Sequence, residues 1–367
     1  MPNNLNIRQN ILGINQTLLR AIRQERPKYR LDHGDLQLIE QLLRTSWKES
    51  ETRKNLAKQI ADSILSKHGK GEAVKIGITT LSDIEGQISA LESRIRDHVV
   101  HAVLTFLLGV YLNDALNLNV SPLEWKLCAL LHDIGYPFEM AIHLPGKIRD
   151  DLIEYNRKLR INSPDLTWRW TFHNLEKLTN GGSSLRLITN RFRRWRLQPR
   201  SAVLYKAMMK NGNMNHGIVS ALLVMKLTDM LYRKHNRNFE MEIDPISGVD
   251  YSYKHFDKHI INAVSAIFLH NINRNNFNML RMNFGNRLHV IPALLKMADE
   301  LQDWERPQIE HNNSRPRMVV NSAEDYRINA NSQPRLLEFS MPEARFHKMR
   351  WLENFFEGIE IRLNPIT

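Results

Sequence analysis

Apolar residues recur at helical spacing along most of this chain. Residues 6–67 are rich in polar residues, and the apolar positions among them lie three or four apart. Examples are Leu36, Ile39, Leu42 and Leu43. Such spacing lines up one face of an amphipathic helix, so it predicts an N-terminal helical region. A glycine-containing stretch at residues 68–77 interrupts the pattern.

One of the later helices carries clear signals at both ends. Ser121 offers an N-cap, the proline after it suits the first helical position, and Glu124 completes a capping box. Gly135 is a typical residue for a helix end, so we expect the helix to stop there. His132 and Asp133 would then lie in its last turn.

Other helices are predicted from apolar periodicity alone, except that Pro292 also marks a helix start. They cover residues 81–118, as one or two helices, and residues 216–231, 259–272 and 291–304. The segment 145–212 is less regular and looks like an insertion.

The pattern changes after Pro307. Short segments at 318–320, 336–339 and 359–363 partly alternate between apolar and polar residues, which is typical of strands. The chain is therefore predicted to be mainly α, a helical bundle with an N-terminal helical extension and a small C-terminal α+β appendix. We place the boundaries at residues 1–88, 89–310 with the basic insertion at about 145–212, and 311–367.

Composition narrows the class of protein. The chain has 367 residues and Cys128 as its lone cysteine, so an intrachain disulfide is excluded and a reducing, cytoplasmic compartment is expected. The N-terminus lacks the layout of a signal peptide, and no uninterrupted apolar run is long enough to cross a bilayer. We therefore expect no membrane partner, while homo-oligomer formation is left open. The net charge of +12 favours anionic partners such as nucleotides or nucleic acid.

A series of histidines and aspartates offers the candidate chemistry. Each lies in or at the end of a predicted helix with an apolar face, so imidazole and carboxylate groups could converge inside the bundle. The series is His101, His132, Asp133, His216, His270 and Asp299. Such a set suits Zn, Mn or Fe, and the absence of a thiolate set argues against a structural cysteine-type zinc site. Asp299 on an apolar face requires a partner in any case.

These residues resemble a known signature. His101, the His132-Asp133 pair within residues 130–135, and the late Asp299 are similar to the H…HD…D pattern of the HD-domain metal-dependent phosphohydrolases, an all-helical superfamily. The resemblance covers about residues 91–307 and implies an HD-domain helical bundle.

The order of the remaining histidines is similar to the two-metal branch of that superfamily, which includes cyclic-nucleotide and cyclic-dinucleotide phosphodiesterases. The resemblance implies one ion on His101, His132, Asp133 and Asp299. It implies a second ion on His216 and His270, with Asp133 bridging both. The expected cofactor is a divalent metal, as two ions of Mn, Fe, Zn, Ni or Mg.

Some roles stay open on sequence alone. His98 and His101 are three residues apart, which places them on one helix face, and either can be the first ligand. The resemblance favours His101 as the ligand, with His98 contacting a phosphate. Asp133, His98 and Glu139 are the candidate catalytic residues. Glu139, Asn271 and Glu300 are also candidates for orienting the ligand imidazoles.

The candidate substrate-binding residues are basic. They are Lys147, Arg149, Arg194 and Arg306. The basic run at 191–196 also contains Phe192 and Trp195, which could stack on bases, or could pack inward from a solvated helix face. Where many cyclic-dinucleotide phosphodiesterases carry lysine, this chain has Tyr136-Pro137-Phe138, which is nearer to the deoxynucleotide triphosphohydrolases of the superfamily.

We therefore expect an enzyme, a metal-dependent hydrolase of nucleotide phosphoester or phosphoanhydride bonds. The alternatives are a metal-dependent nuclease on single-stranded nucleic acid and a non-catalytic nucleotide-binding or nucleic-acid-binding module. No glycine-rich phosphate loop is present, so ATP use through such a loop has no support.

Overall fold

The structure is a computed structural model, and its described residues are mainly helical, as predicted. They are residues 13–67, 77–79, 81–83, 97–139, 181–211, 214–237, 249–272, 280–306, 308–312 and 315–366. The described α-helices of seven or more residues are, in chain order, α1 (Ile14–Glu25), α2 (His33–Arg44), α3 (Ser50–Ser66), α4 (His98–Ala115), α5 (Pro122–Leu131), α6 (Gly181–Arg194), α7 (Ser201–Asn211), α8 (His216–His235), α9 (Ile261–His270), α10 (Val290–Leu301) and α11 (Glu343–Met349).

The C-terminal part contains the strands. They are β1 (Gln308–Asn312), β2 (Arg315–Val319), β3 (Arg327–Ser332), β4 (Arg335–Pro342) and β5 (Glu360–Ile366). β1 and β2 form an antiparallel pair, while β3, β4 and β5 form a sheet in that order. β3 and β4 are antiparallel, whereas β4 and β5 are parallel and are joined through α11. The predicted α+β appendix is thereby confirmed.

Helix α4 forms the centre of the bundle. Nearly all of its residues are buried, and α1, α3, α5 and α10 pack against it. Within the described part of the chain, α4 is the helix that is long and apolar enough to span a membrane, yet 83% of it is buried inside the protein. A core helix of a globular domain has these same properties.

Helix α5 packs against α4 at a very short distance. Gly109 lies beneath the Trp125 ring, whose Nε1 donates a hydrogen bond of 3.0 Å to the Phe106 carbonyl. Lys126 on the same helix is buried and donates to the Tyr29 carbonyl at 2.6 Å, which ties the N-terminal helices to α5. One continuous apolar core links the N-terminal helices, the bundle and the C-terminal sheet.

Several local predictions are corrected. Ser121 is the N-cap of α5, but the capping box is absent because the Glu124 carboxylate accepts from His259 and Asn262 instead. The helix ends at Leu131, four residues before Gly135.

The predicted insertion is partly outside the described residues. Its described part, 181–211, consists of α6 and α7 and is thus more regular than predicted. Most of the glycine-containing stretch at 68–77, residues 84–96 of the helical segment 81–118 and residues 145–180 of the predicted insertion lie outside the described residues.

We predict that Gly109→Ala destabilises the protein, because an added Cβ would lie 1.7 Å from Trp125 Cζ2. Overpacking a filled core costs about 1–3 kcal/mol, so the midpoint of urea unfolding should fall. The matched control is Gly13→Ala, since the nearest atom to a Cβ there is Arg327 Nη1 at 4.0 Å. Equal midpoints for the two variants would contradict the close packing of α4 on α5.

Candidate metal centre

The six residues of the histidine and aspartate series come together at the ends of five helices. We call them the His/Asp cluster. His101 lies in the first turn of α4, His132 is the C-cap of α5 and Asp133 follows it. His216 is the first residue of α8, His270 is the last of α9, and Asp299 lies in the last turn of α10.

Two glycines allow the helix ends to approach so closely. A Cβ on Gly135 would lie 2.6 Å from the His216 carbonyl, and the Gly135 amide donates to Ser220 Oγ at 2.7 Å. A Cβ on Gly217 would lie 3.0 Å from His270 Cε1. Gly135 therefore serves the contact between helices rather than the helix stop that its position in the sequence indicated.

The Asp133 carboxylate lies at the centre of the His/Asp cluster. Its Oδ1 is 3.3 Å from His216 Nε2 and 3.5 Å from His270 Nε2. Its Oδ2 is 3.3 Å from His132 Nε2 and 4.0 Å from His101 Nε2. Each carboxylate oxygen thus faces its own pair of histidines.

Asp299 completes the side of the cluster that contains His101 and His132. Its Oδ1 is 2.9 Å from His101 Nε2 and 3.6 Å from His132 Nε2. Together with Asp133, it surrounds the two imidazoles with carboxylate oxygen.

The outer nitrogen of each histidine ring has an acceptor of its own. His132 Nδ1 donates to the Ala129 carbonyl at 2.9 Å, and His270 Nδ1 donates to the Ile267 carbonyl at 2.6 Å. His216 Nδ1 donates to Glu139 Oε2 at 2.7 Å, and His101 Nδ1 contacts Gln302 Oε1. In the neutral ring, a proton on Nδ1 leaves the lone pair on Nε2, the atom that faces the carboxylates.

This donor set fits a metal ion. The inward Nε2 atoms of His132 and His270 are buried and lie 3.3 Å and 3.5 Å from Asp133 oxygens, but neither makes a contact with hydrogen-bond geometry among the described residues. Buried polar atoms are normally satisfied, so two unsatisfied ring nitrogens beside a carboxylate indicate that a cation belongs between them. Within each of three sets of residues, the possible ligand atoms lie within 4.8 Å of one another. The sets are His101-His132-Asp133, His132-His270-Asp299 and Asp133-His216-His270.

The electrostatics of the cluster favour positive charge. Burial opposes ionisation of Asp133, but His132, His270 and His216 outweigh it and hold its pKa well below the usual value. Burial also opposes charge on His132, yet Asp133 and Asp299 raise its pKa to about 9. Burial, together with Arg306, lowers the pKa of His101 to about 4, which keeps its ring neutral. The two ionised carboxylates attract a cation, and the neutral ring can ligate one.

A cleft of about 340 Å³ opens onto the cluster. Residues of the C-terminal part help to line it, namely Arg345, Lys348 and Met349. Arg306 also lines it, and its Nη1 is 3.5 Å from His101 Nε2. Arg345 pairs with Asp303, another residue of the cleft. The C-terminal appendix therefore forms part of the site that the sequence assigned to the central bundle.

The other predicted site residues lie at varying distances from the cluster. His98 lines the cleft and packs on the Tyr136 ring with centroids 3.7 Å apart, while His101 belongs to a group of residues that could hold a metal ion. Glu139 contacts His216, as expected of an orienting group. Glu300 and Asn271 line the cleft, and Lys147 and Arg149 lie outside the described residues.

The basic run lies elsewhere. Arg194 pairs with Asp257 at 2.8 Å and is not among the residues that line the cleft. Phe192 and Trp195 are 1% and 2% exposed, so they pack inward and cannot stack on bases. Of the two interpretations of this run, the helix face with inward aromatics is the one observed.

Some positioning residues were missed by the sequence analysis. Asn215 caps α8 through Ile218 and also donates to the Asn271 carbonyl at 3.0 Å, which ties His216 to the end of α9. Lys296 donates to the His270 carbonyl at 2.8 Å. Gln302 holds His101. Asn215 is a recognisable N-cap in the sequence, whereas Lys296 and Gln302 carry no signal without the fold.

Comparison with known proteins adds one partial match. No family model matches the chain, and no solved structure matches it. A curated ribonuclease Y from Mycoplasmoides gallisepticum (strain R(low / passage 15 / clone 2)) is 31% identical over 105 residues. These residues are 28% of this chain and 17% of the ribonuclease, so the chain spans about a sixth of that relative's length. The similarity is to a hydrolase and leaves the substrate undetermined.

We predict that Glu139→Ala weakens binding of a divalent ion by roughly 10- to 100-fold, the usual effect of losing a group that orients a ligand histidine. Titration calorimetry with Mn²⁺ would measure the dissociation constant of the ion in each variant. Glu139→Gln keeps an acceptor for His216 Nδ1 and should bind within about threefold of the wild type. Equal affinity in the wild type and Glu139→Ala would show that His216 is not a ligand.

Proposed function

We propose that this protein is a metal-dependent hydrolase of phosphoester or phosphoanhydride bonds in nucleotides, with two divalent ions. The observation that carries the proposal is the inward direction of four imidazole Nε2 atoms around the buried Asp133 carboxylate and the partly buried Asp299 carboxylate. His101, His132 and Asp299 would hold one ion and His216 and His270 the other, while Asp133 would offer one oxygen to each.

Divalent ions at this place would activate a water molecule as the nucleophile and neutralise the charge of the phosphoryl group. The protein then needs no nucleophile of its own, and Cys128, which is fully buried, offers none. The neighbouring imidazoles outweigh the cost of burial and keep the Asp133 and Asp299 carboxylates ionised and ready to ligate. Glu139 and Gln302 hold the imidazoles in the orientation that this arrangement requires.

Cations of the cleft would bind the substrate phosphates beyond the metals. Arg306 and Lys348 come from different segments of the chain and line the same cleft. Arg345 adds a guanidinium group that pairs with Asp303. His98 and Tyr136 present two rings in close contact, tilted by 31°, at the wall of the cleft. A cleft with cations and rings suits a phosphorylated small molecule, and its volume of about 340 Å³ lies in the range of small-ligand pockets.

A nuclease acting on single-stranded RNA is the second candidate. The partial similarity to a ribonuclease Y favours it, as does the net charge of +12. The inward packing of Phe192 and Trp195 removes the stacking surface that the sequence analysis had offered for a strand. For this reason we rank the small nucleotide first.

The first test is the loss of hydrolysis in Asp133→Asn, because the amide cannot offer an anionic oxygen to both ions. We expect the rate of phosphate or nucleotide release from a panel of nucleotides with Mn²⁺ to fall by at least 100-fold. The midpoint of thermal unfolding of the variant shows whether it is folded. Wild-type turnover in a folded Asp133→Asn protein would refute the metal-hydrolase proposal. A wild type that hydrolyses neither nucleotides nor RNA would favour the non-catalytic module.

The second test concerns the substrate. Lys348→Ala should lower kcat/KM for the best nucleotide about fivefold, the equivalent of roughly 1 kcal/mol of lost phosphate contact. Arg350→Ala is the matched control, since Arg350 is an exposed neighbour that does not line the cleft.

The same preparations should be tested on single-stranded RNA across a salt series. Strand cleavage that falls steeply with salt, with nucleotides left intact, would reverse the ranking in favour of the nuclease.

A further inference from the structure

The two helices α6 and α7 carry most of the positive charge of this protein. Residues 181–211, which contain both helices, include eight arginines and lysines and no aspartate or glutamate. This stretch of 31 residues therefore contributes +8 to a net charge of +12. None of the described residues that line the metal cleft belongs to it. Binding of a substrate in that cleft therefore does not explain the charge.

Most of these cations are exposed and have no acidic side chain beside them. Among the described residues, Asp257 is the carboxylate that pairs with them, and it lies 2.9 Å from Arg191 and 2.8 Å from Arg194. The other six are exposed and form no salt bridge with any described residue. We call these six residues the basic patch. They are Arg186, Arg193, Arg196, Arg200, Lys206 and Lys210. Since like charges repel, an anionic partner would stabilise such a surface.

The packing of α7 on α6 brings cations of both helices together. Arg186 and Arg193 are seven residues apart on α6, which is two helical turns, so they lie on one face of the helix. Thr189 lies one turn from each of them, and its Oγ1 is 2.8 Å from Ser201 Oγ at the start of α7. This hydrogen bond places Arg200, the residue before Ser201, beside the same part of α6.

The spacing of the patch is too wide for a single phosphate. At 1.5 Å per helical residue, Arg186 and Arg193 are about 10 Å apart along α6. A lone phosphate or a small anion could therefore contact one of these guanidinium groups but not both. A partner that carries many phosphates in a row could contact both, and Arg200 as well.

The aromatic residues of the segment face away from such a partner. Phe192 and Trp195 are buried, and so is the hydroxyl of Tyr205. Proteins that bind single strands generally stack the bases on exposed aromatic rings. A double strand keeps its bases inside and presents its phosphates, which arginine and lysine contact without reading the bases. The basic patch therefore favours a double strand over a single strand.

An anionic membrane is another polyanion that a basic surface could meet. A helix that lies in a membrane surface also inserts an apolar face of leucine or aromatic residues. Within residues 181–211, Val203 is the large apolar side chain that is exposed. Because there is so little apolar surface to insert, the patch favours nucleic acid over a membrane.

We propose that the basic patch binds the phosphate backbone of a double-stranded nucleic acid. Arg186, Arg193 and Arg200 would contact successive phosphates at the junction of α6 and α7, and binding would be independent of base sequence. The proposal goes beyond the hydrolase proposed above and does not depend on it, because the patch lies outside the metal cleft.

The test is fluorescence anisotropy of the full chain with labelled duplexes of DNA and of RNA and with the matching single strands, over a series of NaCl concentrations. We expect at least one duplex of about 20 base pairs to bind with a Kd below about 10 µM at roughly 50 mM NaCl. The single strands should bind more weakly. For the DNA duplex, the logarithm of the binding constant should fall with the logarithm of salt concentration with a slope of about −3 or steeper, as three or more phosphate contacts require.

Reversal of the charge at the junction should weaken binding. The variant combines Arg186→Glu, Arg193→Glu and Arg200→Glu. We expect its Kd for the duplex to rise by at least about 30-fold, and the salt slope to become shallower by about 2–3, because three phosphate contacts are lost. Arg193→Ala alone should make the slope shallower by about 1, which keeps the test valid if the triple variant does not fold.

The matched control combines Arg20→Glu, Arg30→Glu and Lys48→Glu. These residues are exposed cations of the N-terminal helical region, and they form no salt bridge with any described residue. The control lowers the net charge of the protein by as much as the junction variant does. Its Kd for the duplex should stay within about threefold of the wild type, since distant exposed charges are screened by salt.

Four outcomes would overturn the proposal. They are no binding of either duplex, single strands that bind as tightly as the duplexes, an equal loss of affinity in the control and the junction variant, and an unchanged salt slope in Arg193→Ala. Binding to vesicles of phosphatidylcholine and phosphatidylserine by a protein that leaves both duplexes unbound would instead identify the patch as a membrane-binding surface.

Discussion

The burial of one carboxylate governs the arrangement of this protein. Asp133 lies inside the bundle, where an ionised carboxylate is costly unless it is paired or ligates a metal. Imidazoles from α4, α5, α8 and α9 surround it, and each ring is held by an acceptor on its outer side. The structure therefore places charge, lone pairs and ring orientation together, which is the set of conditions that a divalent ion requires.

The remainder of the fold brings helix ends to this point. Gly135 and Gly217 remove the side chains that would hold α5, α8 and α9 apart. Trp125, which lies on α5 before His132, packs α5 on α4 over Gly109. The C-terminal α11 then closes one side of the cleft with Arg345 and Lys348. Residues of the His/Asp cluster that are up to 198 positions apart in the chain thus meet because several close packings hold together.

The sequence predicted what periodicity and residue chemistry encode. The helical class, the C-terminal strands and the His/Asp series all follow from spacing and from the cost of burying charge. The rest depends on contacts between segments remote in sequence. Glu124 matched a capping box, yet it contacts α9 because its carboxylate is buried beside His259 and Asn262. Likewise, the inward packing of Trp195 and the contact of Gln302 with His101 depend on neighbours that local pattern does not reveal.

Anomalous diffraction from crystals grown with Mn²⁺ tests the central claim most directly, because it locates ions independently of any activity. Two peaks are expected, one bonded to His101, His132 and Asp299 and the other to His216 and His270, with Asp133 bonded to both. A single peak on the His101 side would disprove the two-ion arrangement. Peaks elsewhere, or no peak in crystals grown with excess Mn²⁺, would contradict the metal centre itself.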